Sequence, residues 1–208
     1  MKKVIKIIFI LFLQLALSIS SAEDFDNDKF TSDDIYTIKN IHSIDLSSSA
    51  KKITYIETFA NRKNDAYENS LWLYDKERKN PKKLIKNIKS ISAPQFSPNE
   101  KYIAYISSGK KKYKSNSQLW LINLKTARKR QLTKIANDVT DFQWSPDGEK
   151  IAIVVHHKKD DIKGTKPPIV VDRYQFKKDG YDFIESENKH IHIMHLDKRG
   201  ITQITNGN

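Results

Sequence analysis

The sequence predicts an all-β fold, a partial β-propeller of about three four-stranded antiparallel blades, and two repeating anchors predict it. The first is an apolar residue followed by a turn, and it recurs at about four dozen residues, the period of a propeller blade. It reads Leu46-Ser47-Ser48-Ser49, then Phe96-Ser97-Pro98-Asn99, then Trp144-Ser145-Pro146-Asp147-Gly148. The second anchor keeps the same register. Leu71-Trp72-Leu73-Tyr74 recurs as Leu119-Trp120-Leu121-Ile122 and as Ile191-His192-Ile193-Met194.

Each turn has a physical basis. Pro presets φ for the first corner and Gly accepts positive φ at the end, so Ser-Pro-Asp-Gly between apolar segments makes a hairpin. The first copy departs from the pattern, with Ser48-Ser49-Ala50 in place of Pro-Asp-Gly, and is expected to be less tightly held. The strands that follow, Ile53 to Ile56, Ile103 to Ile106 and Ile151 to Val155, are almost continuously apolar. Such runs imply burial on both faces, as for a strand sandwiched between neighbouring blades. The last strands are expected at Lys83-Leu84-Ile85, Gln131-Leu132-Thr133 and Gln203-Ile204-Thr205. Trp72 and Trp120 fall at matched positions, which favours inter-blade core over a ligand-stacking platform.

The elements follow in order. Residues 1–22 read as a secretory signal: Lys2, Lys3 and Lys6 form a basic start, Ile7 to Leu17 is apolar apart from Gln14, and Ser20-Ser21-Ala22 supplies small residues for cleavage. The apolar stretch is well short of the ~20 residues that span a bilayer, so no membrane association is expected after cleavage. Residues 23–40 form a polar link and a short helix, capped by Thr31 or Ser32 and carrying Asp33 and Asp34 in its first turn. The blades occupy about 41–88, 89–137 and 138–208, the last with an insertion at 156–189, about two dozen residues longer than the matching connection of the second blade.

Propellers close with about four to eight blades, so three imply the front part of a longer protein. An open arc leaves one face of the first blade and one of the third uncovered, exposing side chains such as Ile191, Ile193 and Met194. With no cysteine the chain carries no disulfide framework, which with the signal suits export to a bacterial periplasm.

The net charge of +12 does not indicate nucleic acid. Three of those charges belong to the signal, and the rest are scattered, with no basic helix or aromatic-basic stacking platform. The histidines His156, His157, His190, His192 and His195 lie on two neighbouring strands, but no carboxylate or cysteine accompanies them at ligand spacing. No metal and no cofactor is expected.

The insertion contains Ile169-Val170-Val171-Asp172-Arg173-Tyr174-Gln175-Phe176-Lys177-Lys178-Asp179-Gly180-Tyr181. Together with Thr31-Ser32-Asp33-Asp34-Ile35 and the blade turns, this segment resembles the N-terminal propeller of bacterial acylaminoacyl-peptidases and dipeptidyl aminopeptidases of the prolyl oligopeptidase family. The resemblance spans essentially the whole chain after the signal. It implies a propeller that controls which peptides reach a C-terminal α/β-hydrolase domain with a Ser/Asp/His triad. These residues contain no Gly-x-Ser-x-Gly elbow, so no catalytic residue is assigned. The resemblance makes Arg173, Tyr174, Lys178 and Asp179 candidates to face a peptide substrate, beside the plainer reading of a salt-bridged surface hairpin. The expected partner is a peptide, met through a hydrolase domain or companion chain. The blade turns are shared with TolB and other periplasmic propellers, so the alternative function is a non-catalytic TolB-like propeller that binds other proteins.

Overall fold

The computed structural model describes residues 31–108, 116–157, 188–197 and 200–206. The proposed signal, most of the insertion and the candidates Arg173, Tyr174, Lys178 and Asp179 lie outside the described residues. Locally, Ser32–Tyr36 forms a 3-10 helix. The Asp34 carboxylate accepts from both the backbone N–H and the hydroxyl of Thr31, closing its first turn.

The remainder, Tyr36–Asn208, is one compact unit of three four-stranded antiparallel sheets. The first blade holds β1 (Lys39–Leu46), β2 (Lys52–Asn61), β3 (Ala66–Asp75) and β4 (Lys82–Ile88). β5 (Ser92–Phe96), β6 (Tyr102–Ser107), β7 (Gln118–Asn123) and β8 (Lys129–Gln131) make the second, and β9 (Asp138–Trp144), β10 (Lys150–His157), β11 (Asn188–His195) and β12 (Ile201–Gln203) the third. In each sheet the strands lie side by side in sequence order. The first strand of each later blade packs on its predecessor, β5 against β1 and β2, and β9 against β6 and β7. Among the described residues no helix is long and apolar enough to cross a membrane.

Two buried clusters join the blades. Ile56, Leu71 and Ile85 of the first blade meet Ile91, Phe96, Ile103, Tyr105 and Ile122 of the second. Ala104, Ile106, Leu119 and Leu121 of the second meet Val139, Phe142, Trp144, Ile151 and Met194 of the third. Side chains alternate along a strand, so Leu119 and Trp120 face opposite neighbours. Trp120 packs on the first cluster, as expected of core. Trp72 does not: on the matching strand it lies on the face turned away from the second blade, stacked on Tyr55 at 6.3 Å between ring centroids, with the Lys83 ammonium over its ring. The expected exposure of the third blade also needs correction, because Met194 is buried against the second blade and only Ile191 of the three is exposed.

All three turns are equally tight, contrary to the expectation for the first. The closing bonds Ala50 N–H to Ser47 O, Glu100 N–H to Ser97 O and Gly148 N–H to Ser145 O measure 2.8, 2.8 and 2.9 Å. Ala50 and Glu100 accept the left-handed conformation, at φ 55° and 53°, that Gly148 adopts at 73°. The recurring serine explains why Pro and Gly are dispensable. Its hydroxyl oxygen accepts the N–H five residues on, from Lys52 at 3.1 Å, Tyr102 at 3.0 Å and Lys150 at 2.9 Å, so the side chain ties the turn's two ends.

The last strands of the second and third blades end earlier than expected, at Gln131 and Gln203. A bulge takes over there. The Leu119 carbonyl accepts from the N–H groups of both Leu132 and Thr133, and Ile191 does the same for Ile204 and Thr205. Each threonine hydroxyl then accepts the N–H left over, from Leu119 at 2.9 Å and from Ile191 at 2.8 Å.

Candidate functional site

The innermost strands β1, β5 and β9 run in the same sense and end together at the serine turns. There they border a cleft of about 400 Å³. The residue preceding each apolar anchor lines it, Asp45 from the first blade, Gln95 from the second and Gln143 from the third, with Leu46, Phe96 and Trp144 beside them. The register places these residues because each lies at the same step of the repeat.

Two of the polar groups also stitch the blades together. The Asp45 carboxylate accepts the Phe96 N–H at 2.8 Å, and the Gln95 amide donates to the Phe142 carbonyl at 3.3 Å. Above them the turns of the first two blades meet. The Glu100 carboxylate accepts the Ser49 N–H at 2.5 Å and its hydroxyl at 3.1 Å, and Lys52 lies at 3.5 Å. The backbone bond from Ser49, then its hydroxyl, holds Glu100 below the usual carboxylate range. One carboxylate and two amides at a cleft mouth offer hydrogen-bond acceptors and donors of the kind a peptide backbone needs. The sequence reading missed this cleft because Asp45, Gln95 and Gln143 look like ordinary strand residues until the blades are stacked.

The insertion is rooted at the other end. β10 runs antiparallel to β9, and His156, where the insertion begins, pairs with Asp138 at the start of β9, far from the turns. The cleft and the roots of the segment bearing Arg173, Tyr174, Lys178 and Asp179 are therefore at opposite ends of the blades.

The histidines gather at those roots. His157 stacks on His192 with ring centroids 5.7 Å apart and meets His190 edge-on at 5.2 Å. His192 occupies the place that Trp72 and Trp120 hold in the other blades, but its cross-strand partner is Ile153 where theirs are Tyr55 and Tyr105. The Asn137 side-chain amide donates to His157 Nδ1 at 3.1 Å, which leaves the ring proton on Nε2, buried and without a partner among the described residues. Burial, and then the neighbouring His190, His192 and His156, push the His157 pKa down. Among the described residues no group of three or more His, Asp or Glu side chains is arranged to hold a metal ion.

A hydroxyl–imidazole contact also occurs on the first blade. Ser43 Oγ lies 3.0 Å from His42 Nδ1, and Thr58 Oγ1 lies 2.8 Å from Nε2. Thr58 in turn donates to the Asn69 side-chain carbonyl at 2.5 Å. Nucleophile and base are consecutive residues at the β1 bulge, outside the cleft, and a threonine rather than a carboxylate orients the ring. This network fixes the bulge, where Ser43 sits at φ 51°.

No family model and no curated protein matches the chain. Solved structures do resemble it. An acylaminoacyl peptidase from Pyrococcus horikoshii superposes with a TM-score of 0.64 at 19% identity, over 83% of this chain and 26% of that one. The β-propeller domain of the Trilobed protease from Pyrococcus furiosus gives 0.54 at 17% identity, over 82% and 45%. A putative TolB from Agrobacterium tumefaciens gives 0.51 at 15% identity, over 80% and 48%. The likeness establishes the propeller fold. The chain spans about a quarter of the length of the peptidase it matches.

Proposed function

We propose that this chain is the propeller portion of an exported serine peptidase of the prolyl oligopeptidase family, one that releases dipeptides or acylated residues from peptide N-termini. The observation that carries the reading is the Asp172-Arg173-Tyr174-Gln175-Phe176-Lys177-Lys178-Asp179-Gly180 segment inserted in the third blade, on a scaffold with the fold of acylaminoacyl peptidase. The propeller selects peptides, and Arg173, Tyr174, Lys178 and Asp179 face them. Arg173 and Lys178 suit a carboxylate and Asp179 an ammonium terminus. The chemistry belongs to an α/β-hydrolase domain carried further along the polypeptide or on a companion chain. The Lys2-to-Ala22 leader directs export, to the periplasm of a bacterium.

Reading the locus beyond codon 208 tests this. A Gly-x-Ser-x-Gly elbow followed by Asp and then His, in the same or an adjacent frame, supports the peptidase. Further blades closed by a stop codon, with no hydrolase nearby, favour the second reading, a non-catalytic protein-binding propeller. The likeness to the putative TolB supports that alternative.

A further inference from the structure

We infer that the cleft at the turn end of the inner strands is a binding site for an aliphatic primary ammonium group, of the kind carried by a lysine side chain or a peptide N-terminus. The polar groups there are only half used. Asp45 gives one carboxylate oxygen to the Phe96 N–H, and Gln95 gives its amide nitrogen to the Phe142 carbonyl, so each bond anchors one end of a side chain in a seam. The other ends, the second Asp45 oxygen and the Gln95 side-chain carbonyl, take no hydrogen bond among the described residues. Gln143 lines the same cleft with its side-chain carbonyl equally open. Each blade thus leaves an acceptor oxygen over, and the seam bonds themselves hold two of the three in place.

Charge selects the ligand. The protein carries 37 Lys and Arg against 25 Asp and Glu, yet no basic side chain lines the cleft. Asp45 is in no ion pair among the described residues, whereas the nearby Glu100 carboxylate is already engaged by Ser49 and Lys52. A carboxylate flanked by neutral acceptors repels an anion and favours a cationic donor. An ammonium group fits that demand, with three N–H donors, no acceptor, and charge-assisted bonding to the carboxylate. The walls set the rest of the ligand. Leu46, Pro98, Trp144 and Pro146 surround the acceptors with apolar surface, which suits the methylene stem that a lysine side chain lays against it.

The test is proton–nitrogen NMR of the full chain, following the indole N–H of Trp144 in the cleft wall, which is identified by its loss in Trp144→Phe. The probes are N-acetyl-lysine methylamide, its norleucine counterpart, which lacks the ammonium, and glycyl-glycine amide, whose ammonium is a chain N-terminus. The lysine compound should give a saturable shift with a Kd on the order of 1 mM. That binding should weaken as salt rises, and the norleucine compound should give no shift. A shift with glycyl-glycine amide adds the chain N-terminus as an accepted source, and its absence assigns the cleft to lysine side chains. Asp45→Asn keeps an acceptor for the Phe96 N–H, and Gln143→Leu changes an exposed residue outside both seam bonds, so each should keep the wild-type circular dichroism. Each should nevertheless weaken lysine binding at least about tenfold. No saturable shift, equal shifts from the lysine and norleucine compounds, or either variant binding as tightly as the wild type would overturn the inference. An ammonium-binding cleft is compatible with the peptidase and with the protein-binding propeller, so such a result would leave both readings standing.

Discussion

The Asp45 carboxylate accepts the backbone N–H of Phe96 across the seam between the first two blades, at 2.8 Å. Phe96 is itself buried in that seam, so this single bond fixes how the innermost strand of one blade sits against the next. Gln95 performs the corresponding task one blade later by donating to Phe142. The repeat therefore places a polar residue before each apolar anchor, and that residue both aligns the blades and lines the cleft.

Replacing Asp45 with Ala should destabilise the fold by about 1–3 kcal/mol, the cost of a buried N–H left without its acceptor. Asp45→Asn keeps an acceptor oxygen and should cost less. Urea denaturation of the three proteins measures both. Equal stability of the Ala variant and the wild type would show that Phe96 finds another partner.

Thr133 makes a sharper case, since it is fully buried. Its hydroxyl accepts the Leu119 N–H and donates to the Gln118 side-chain carbonyl at 2.8 Å. Thr133→Val preserves the shape and removes both bonds, so a loss of about 1–3 kcal/mol is expected. Thr133→Ser retains them and should lose only the contribution of one methyl, about 1 kcal/mol. A Ser variant less stable than the Val variant would mean that packing, not the bulge hydrogen bonds, governs this position.

Acid should weaken the protein in two windows. His157 is held neutral, its folded pKa below the unfolded one, so its contribution is lost as pH falls beneath the ordinary imidazole range. Glu100 is a carboxylate with a depressed folded pKa, so its contribution is present above the ordinary carboxylate range and disappears as pH falls through the folded value. Melting temperatures between about pH 7 and pH 3 should show both slopes. His157→Gln should flatten the upper one alone and Glu100→Gln the lower one alone. Variants that leave the profile unchanged would assign the acid sensitivity to other groups.

The fold was legible in the sequence because its two anchors kept register, and the structure repeats Leu46, Phe96 and Trp144 at the same step of three sheets. What the anchors could not say was which face of each blade has a neighbour. Trp72 and Trp120 look equivalent along the chain, yet only Trp120 has a blade in front of it. The tightness of the first turn was likewise hidden, because the Ser47 hydroxyl does locally what Pro and Gly signal more visibly. The cleft was illegible for a different reason: Asp45, Gln95 and Gln143 carry no motif, and only stacking brings them together. The candidates Arg173, Tyr174, Lys178 and Asp179 rest on the resemblance alone, and the anchors of their segment lie at the blade end opposite the cleft.

The proposed function is tested most directly by asking whether a reactive serine travels with this chain. The sequence contains no Gly-x-Ser-x-Gly elbow, so the recombinant 208-residue chain alone should not turn over aminoacyl or dipeptidyl chromogenic substrates. The native protein, captured from its own host through an antibody to residues 41–157 and treated with a fluorophosphonate probe, should yield a labelled serine hydrolase, as a longer form of the same polypeptide or as a companion chain. That labelling should coincide with N-terminal peptidase activity in the captured material. A native protein recovered intact, with no probe-reactive serine and no such activity, would contradict the account and leave the protein-binding propeller in its place.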